Sequence, residues 1–166
     1  MQATVRELGY LPAAVGRLAN SPHLLEGFLK VSALFESTTL DPIAREVVVL
    51  TIATRNGCHV CVAMHTARLT SLGASPELIA ALRDQQKLAD ERLDAIRVFT
   101  LAVIAATGDV DADVLRTFLD HGYTSQNALE VVLGIGTYTM STFANRLVRA
   151  PLDDQLTPFA WSEPAA

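Results

Sequence analysis

The sequence has few charged residues and no concentration of basic ones. Charged residues make up 19% of its 166 residues, and the net charge is −5, whereas an average soluble domain is about 25% charged. No run of Lys and Arg could neutralise a row of phosphates, so we expect no nucleic-acid partner. Half of the residues are apolar, which excludes a disordered chain. With so little charge, we expect some apolar surface to lie between subunits of a homo-oligomer.

Long apolar runs are also absent. No stretch reaches the ~18 uninterrupted apolar residues that a transmembrane helix requires, so we expect no membrane partner. Residues 1–20 have no basic start followed by an apolar run, the pattern of a secretory signal peptide. We therefore expect a cytoplasmic protein. Its length fits a single domain over residues 1–166, with a core at about residues 20–153.

The sequence contains only two cysteines, Cys58 and Cys61. Two cysteines do not make a disulfide scaffold, and a chain of this length needs none. In a cytosolic protein, their Cys-x-x-Cys spacing favours a redox pair or a metal site.

Helix start and stop signals recur along the chain. Ser21, Asp41 and Ser75 each precede a proline, which places an N-cap residue before a proline at the first helical position. Glycines follow several of the segments, as is typical of helix ends. These signals predict an all-α fold of about seven helices, at about residues 22–35, 42–55, 58–72, 76–86, 91–106, 112–120 and 125–150. We expect irregular structure after Pro151.

Two β-branched runs, residues 47–52 and 131–136, are compatible with buried strands as well as with buried helices. Both lie within segments of 13 or more residues that have helix starts and no internal turn. We interpret both as buried helices. Gly134 and Gly136 would each cost up to ~1 kcal/mol in a helix, so we expect them to allow close packing.

The Cys-x-x-Cys motif continues to a histidine on the same helix. At ~100° per residue, Cys58, Cys61 and His65 project from one face. The amide groups and dipole at a helix N-terminus lower the pKa of a thiol such as Cys58 below its usual ~8.5. His65, four residues after Cys61, can take or return a proton. The arrangement suits two-electron thiol chemistry, in which one sulfur attacks and the other forms the disulfide.

Glu46 is expected to join this site from the preceding helix. The two helices meet at an Asn56-Gly57 turn and should pack antiparallel. Glu46 and His65 each lie ~14 Å along the helices from that turn, at 1.5 Å per residue. Glu46 also opens an apolar run, where a carboxylate needs a partner. We therefore expect Glu46 and His65 to interact.

Glu46, Cys58, Cys61 and His65, at these spacings, resemble the signature of the AhpD-like alkylhydroperoxidases of the carboxymuconolactone decarboxylase superfamily. The resemblance covers about residues 20–153. It implies an all-α fold that assembles as trimers or hexamers. It also implies a peroxidase in which Cys61 is the peroxidatic thiol, Cys58 is the resolving thiol, and Glu46 and His65 relay protons. The substrate would be a hydroperoxide, the reductant a dithiol or a lipoyl-bearing protein, and no cofactor would be needed.

One position departs from this family pattern. The histidine that directly precedes the second cysteine in AhpD is replaced by Val60, and a histidine stands one residue earlier, at His59. His59 points ~100° away from Cys58, so the relay would rest on Glu46 and His65 alone, with a lower rate. The decarboxylase branch of the superfamily typically lacks the cysteine pair, which argues against lactone decarboxylation.

Other interpretations of these residues remain open. The two thiols could be small apolar packing residues, or a non-catalytic redox sensor or disulfide reductase could use the same disulfide. A zinc site is chemically possible from Cys58, Cys61, His65 and Glu46. The sequence has no phosphate-binding glycine loop, so we expect neither a nucleotide nor a flavin, and an electron donor must then dock at the surface. The remaining candidates are expected on the surface (His23, His59), at a helix end (His121) or in the core (Met64, Tyr138).

Overall fold

The protein is all-α in a computed structural model that describes residues 10–163; the first nine and last three residues of the expected domain lie outside this range. The helices are α1 (Ala13–Leu18), α2 (Pro22–Glu36), α3 (Pro42–Arg55), α4 (His59–Ser71), α5 (Pro76–Arg83), α6 (Glu91–Ala105), α7 (Ala112–Asp120) and α8 (Ser125–Leu147), followed by a 3-10 helix (Asp154–Phe159). Between residues 10 and 163 no strand occurs, and no helix is long and apolar enough to cross a membrane.

The predicted helix starts are confirmed by their capping geometry. Ser21, Asp41 and Ser75 accept hydrogen bonds from backbone amides three residues later, and a proline opens each helix. Thr124 begins α8 with a capping box, in which its side chain and that of Asn127 each accept a hydrogen bond from the other's backbone amide. These caps satisfy amide groups that a helix start leaves without partners.

Helix α3 forms the centre of the molecule. Every residue from Glu46 to Thr54 is buried, which confirms that the run 47–52 is a buried helix. Helices α4, α6 and α8 pack around α3, and α2 packs against α8. A helix that is apolar on all sides must be covered on all sides, and this burial places Glu46 in the interior.

The second β-branched run, on α8, is helical but only half buried. Val131 is fully buried, whereas Val132 is 49% exposed, so the prediction of a wholly buried helix was wrong for residues 131–136. Its apolar residues occupy both faces of the helix, and only one face meets the core. The expected close packing holds at Gly134, where an added Cβ would lie 2.7 Å from Cε2 of Phe35, but not at Gly136, where nothing lies within 4 Å.

Two elements differ from the sequence-based prediction. The short helix α1 was not predicted, because it has no side-chain cap and spans only 6 residues. The segment after Pro151 was expected to be irregular, but it forms the 3-10 helix and packs on α4. Arg83 holds it there by donating hydrogen bonds to the carbonyls of Phe159 and Ala160, and the indole of Trp161 donates one to the carbonyl of Arg83.

Candidate functional site

The candidate site lies on the α3–α4 hairpin. Gly57, in the turn between the two helices, has φ +62°, a left-handed conformation that glycine adopts without strain. Helix α4 follows at once, with Cys58 as its N-cap residue. This turn brings the buried face of α3 against the face of α4 that carries the thiols.

Glu46 and His65 make the contact expected from the hairpin geometry. Nδ1 of His65 lies 2.8 Å from Oε2 of Glu46. The Glu46 side chain is almost completely buried, and that of His65 is 16% exposed. With a carboxylate at Glu46, Nδ1 carries the hydrogen and Nε2 of His65 remains able to accept a proton. The contact therefore joins a carboxylate and an imidazole in a mostly buried position.

Tyr138 packs edge-on against His65, with ring centroids 5.3 Å apart, and it also contacts Phe35. Burial, followed by the negative charge of Glu46, raises the pKa of Tyr138. It is thus a core residue, as expected, and it also fixes the plane of the imidazole.

The two thiols are free and in direct contact. Sγ of Cys58 lies 2.6 Å from Sγ of Cys61, and both residues are buried, with exposures of 1% and 4%. The hydrogen bond from Cys61 lowers the pKa of Cys58 against the opposing effect of burial, with further contributions from the Cys61 amide, His65 and Arg146. The pKa of Cys61 is raised well above its ordinary value, first by its hydrogen bond with Cys58 and then by burial.

Helix α8 supplies two partners of Cys61 that the sequence did not reveal. The amide Nδ2 of Asn145 donates to Sγ of Cys61 at 3.4 Å, and Ser141 is a second side-chain donor that lowers the pKa of this thiol. Both residues are buried, and Oδ1 of Asn145 has no hydrogen-bond partner. They lie 80 and 84 positions from Cys61 in the sequence and on a different helix, so spacing along one helix could not predict the contact.

A cavity of about 420 Å³ opens beside Cys58. Its walls come from the start of α4 (residues 57–60) and from the end of α8 with the turn that follows (residues 145–151). Cys58 lines this cavity and Cys61 does not. Arg146 and Arg149 also line the cavity and were likewise not predicted.

The remaining candidates lie mostly where the sequence analysis placed them. His23 and His59 are exposed, and Nδ1 of His121 hydrogen-bonds to the carbonyl of Thr117 at the end of α7. Met64 packs against the core. In the described part of the chain, no three His, Cys, Asp or Glu side chains are grouped so that they could hold a metal ion, so the geometry gives the zinc alternative no support.

The family comparison matches residues 22–91 to the carboxymuconolactone decarboxylase family. This segment contains Glu46, Cys58, Cys61 and His65. A search of curated proteins finds none with significant sequence similarity to the chain.

Similar solved structures share the fold along most of the chain. An AhpD-core, peroxidase-related protein from Ralstonia eutropha JMP134 superposes with a TM-score of 0.83 at 21% identity, covering 93% of this chain and 84% of that one. A putative antioxidant defence protein AhpD from Agrobacterium tumefaciens gives 0.68 at 22% identity, with coverages of 82% and 96%. The debrominase Bmp8, in complex with 2,3,4-tribromopyrrole, gives 0.73 at 14% identity, with coverages of 94% and 84%.

These likenesses, all at low identity, establish the architecture rather than the reaction, because one fold hosts several chemistries. The family match over residues 22–91 contains all four residues of the motif, and the shared fold extends over nearly the whole described chain. Residues 22–91 are therefore similar to the carboxymuconolactone decarboxylase family, and the chain shares the fold of AhpD-like structures.

Proposed function

We propose that this protein is a thiol-dependent peroxidase that reduces hydroperoxides through a Cys58–Cys61 disulfide. One observation carries the proposal: two free thiols 2.6 Å apart share a helix face with His65, which is paired at 2.8 Å with the buried Glu46. A nucleophile, a resolving thiol and a base are thus brought together. The peroxidase-related and antioxidant descriptions of similar structures agree with this chemistry.

The directions of the two pKa shifts bear on which thiol attacks the peroxide and which one resolves the product. The pKa of Cys58 is lowered and that of Cys61 is raised, so Cys58 is the thiol that loses its proton more readily. For Cys61 to attack a peroxide its proton must leave, and the His65–Glu46 pair is the base available four residues along the same helix. Asn145 and Ser141 would stabilise the resulting Cys61 thiolate by donating to it.

The proposed cycle then balances in two steps. The Cys61 thiolate attacks the terminal oxygen of ROOH, the O–O bond breaks, and the alkoxide leaves as ROH with a proton from His65. The Cys58 thiolate next attacks the sulfur of the Cys61 sulfenic acid, and hydroxide leaves as water after taking a proton. The peroxide is reduced by two electrons and the thiol pair becomes a disulfide. A dithiol reductant restores the two thiols.

Steady-state consumption of a hydroperoxide with dihydrolipoamide as reductant tests this function. We expect turnover by the wild type and none by Cys61→Ser. Without reductant, Cys58→Ser should reduce about one equivalent of peroxide and stop at the sulfenic acid, because the chain then has no resolving thiol. No peroxide consumption by the wild type, although its two thiols are reduced, would refute the peroxidase.

A redox sensor or disulfide reductase is the second candidate, and the near-complete burial of both thiols favours it. A buried pair exchanges slowly with large substrates, which suits a sensor more than an enzyme of high turnover. Such a protein would form the disulfide once with peroxide but would show no sustained turnover with any dithiol. The same assay therefore separates the two candidates.

A further inference from the structure

We propose that the cavity beside Cys58 binds a dithiol reductant that carries a carboxylate, and that Arg146 and Arg149 recognise this carboxylate. The inference rests on the Cys58–Cys61 disulfide of the proposed function. It adds the side from which electrons arrive and the charge of their donor.

The first argument is access. Cys58 lines the cavity of about 420 Å³, whereas Cys61 does not. Of the two cysteines, Cys58 is therefore the one that lies next to a ligand in the cavity. A volume of several hundred Å³ is the usual size of a small-molecule site and accommodates a short-chain dithiol.

The second argument is charge. Arg146 and Arg149 both line the cavity and are exposed. Neither belongs to an ion pair within residues 10–163, although the chain as a whole is acidic. Arg146 donates one hydrogen bond, from Nη1 to the carbonyl of Asn56, which fixes its guanidinium and leaves other N–H groups available. Two such groups in a concave site attract an anion and can bind a carboxylate with two parallel hydrogen bonds.

The other titratable groups at the cavity are His59 and Glu163. His59 lines the cavity beside Cys58. The C-terminal segment held by Arg83 brings Oε2 of Glu163 to the rim, 3.4 Å from where a Cβ on Gly57 would lie, with Nη1 of Arg146 3.2 Å from the same point. Glu163 therefore places a carboxylate of the chain itself at the edge of the proposed site. Its negative charge should weaken the attraction between the arginines and the carboxylate of a reductant.

The third argument is the unpaired acceptor of Asn145. This residue is buried and lines the cavity, and its Oδ1 has no hydrogen-bond partner while its Nδ2 donates to Cys61. A buried acceptor without a partner carries a substantial desolvation cost. A ligand with an S–H or other donor group in the cavity would satisfy it, so Asn145 is a positioning residue for the incoming dithiol.

The electron transfer balances as thiol–disulfide exchange. One thiolate of the reductant attacks Sγ of Cys58, the Cys58–Cys61 bond breaks, and its electron pair goes to Cys61. Cys61 then takes a proton from His65. The second thiol of the reductant loses its proton to solvent and attacks its own sulfur in the mixed disulfide, which releases Cys58 as a thiolate and the reductant as a cyclic disulfide.

Dihydrolipoate and dihydrolipoamide provide a matched pair of probes, because they carry the same dithiol and differ in one charge. The protein is oxidised with diamide, mixed with each probe, quenched with iodoacetamide and analysed by mass spectrometry for the loss of the Cys58–Cys61 disulfide. Each rate is divided by the rate at which the same probe reduces oxidised glutathione. This reference reaction corrects for the intrinsic difference in reactivity between the two probes. We expect a preference of about tenfold for dihydrolipoate at low salt, decreasing at 0.5 M NaCl because of screening.

Variants test the assignment of the charges. Arg149→Gln and Arg146→Gln should each reduce the preference to about threefold or less, and Arg149→Lys should retain most of it. Glu163→Gln should increase it. Arg68→Gln, an exposed arginine of α4 away from the cavity, is the matched control and should leave it unchanged.

Equal normalised rates for the two probes, or a preference that survives Arg149→Gln and Arg146→Gln, would overturn the inference. Because diamide forms the disulfide, the assay does not depend on peroxide turnover. A clear charge preference in a protein that consumes no hydroperoxide would refute the proposed function and support this inference. A protein in which diamide forms no Cys58–Cys61 disulfide would refute both.

Discussion

At the scale of single residues, the chemistry of the site depends on where protons lie. The pKa of the Cys61 thiol is raised, and in the proposed mechanism the Glu46–His65 pair is the base that deprotonates it. Burial makes this arrangement effective, since charges in a low-dielectric interior interact more strongly than they do in water. Substitutions of Glu46 and His65 therefore distinguish a catalytic site from a site in which these residues only pack.

Glu46→Gln removes the negative charge and preserves the shape. The amide oxygen can still accept from Nδ1 of His65, so the melting temperature should hardly change. A general acid or base contributes about 10²–10⁴-fold, and we expect peroxidase turnover to decrease at least ~10-fold because His65 retains part of the function. His65→Gln should cause a comparable loss, and the double variant should lose less than the product of the two. An unchanged rate in Glu46→Gln, with Cys61→Ser inactive, would contradict the relay.

Several residues of the site could be predicted from the sequence, because the information was local. Cys58, Cys61 and His65 share one helix face by their spacing, and the equal distances of Glu46 and His65 from one turn predicted their contact. Asn145, Ser141 and the two arginines of the cavity could not be predicted. They lie on α8, and only the packing of α8 on α3 and α4 brings them to the thiols. A single sequence carries no signal for that contact.

At the scale of helices, local signals and tertiary packing contribute differently. The proline-led starts of α2, α3 and α5 follow from local capping chemistry and were predicted correctly. The missed α1 has no such cap. The half-buried state of α8 was also missed, because an apolar run alone does not show how many of its faces meet the core.

Gly134 tests how closely α8 approaches α2 and α3. An added Cβ would lie 2.7 Å from the Phe35 ring and 3.1 Å from Val48. Gly134→Ala should therefore lower the free energy of unfolding by about 1–3 kcal/mol through overpacking. Gly27→Ala, in a helix position with nothing within 4 Å, is the matched control and should stabilise by up to ~1 kcal/mol. Urea denaturation measures both, and a stabilising Gly134→Ala would disprove the close contact.

Glu130 ties the start of α8 to the α2–α3 loop. Its buried carboxylate accepts hydrogen bonds from the backbone amide and hydroxyl of Thr39 and from the amides of Gln126 and Asn127. Burial alone would raise the pKa of Glu130, but these hydrogen bonds outweigh it, and the pKa is lowered from 4.5. The resulting stabilisation is complete above the unfolded-state pKa of 4.5 and is lost as pH falls through the folded-state value.

Glu130→Gln should accordingly cost about 1–3 kcal/mol in the free energy of unfolding at pH 7. The difference from wild type should decrease as the pH is lowered below about 4.5. Urea denaturation at pH 7 and at pH 3.5 measures it. A difference that is the same at both pH values would show that the charge of Glu130 contributes nothing.

At the scale of the whole molecule, the surface of α8 bears on the proposed oligomer. An apolar stripe, defined here as Leu129, Val132, Phe143 and Leu147, runs along this helix with exposures of 49–85%. Contiguous exposed apolar surface of this kind is typical of subunit contacts. The stripe lies on the opposite face of α8 from Ser141 and Asn145, so a second copy packed there would hold the helix that supports Cys61.

We therefore predict that the stripe is the contact between copies of this chain. Light scattering of the wild type should give three or six times the 17.9 kDa chain mass. Phe143→Asp with Leu147→Asp should shift the mass toward the monomer. Val98→Asp, at an exposed apolar residue of α6, should not. A monomeric wild type at micromolar concentration would contradict the prediction.

The most direct test of the account is a single-turnover titration of the reduced protein with an organic hydroperoxide. The account predicts that one equivalent of peroxide yields one equivalent of alcohol and one Cys58–Cys61 disulfide within a single chain. Mass spectrometry should show a loss of two hydrogens per chain, with no covalent dimer. Two free thiols that persist after the peroxide is added, or peroxide that remains unconsumed while the disulfide forms by another route, would contradict it.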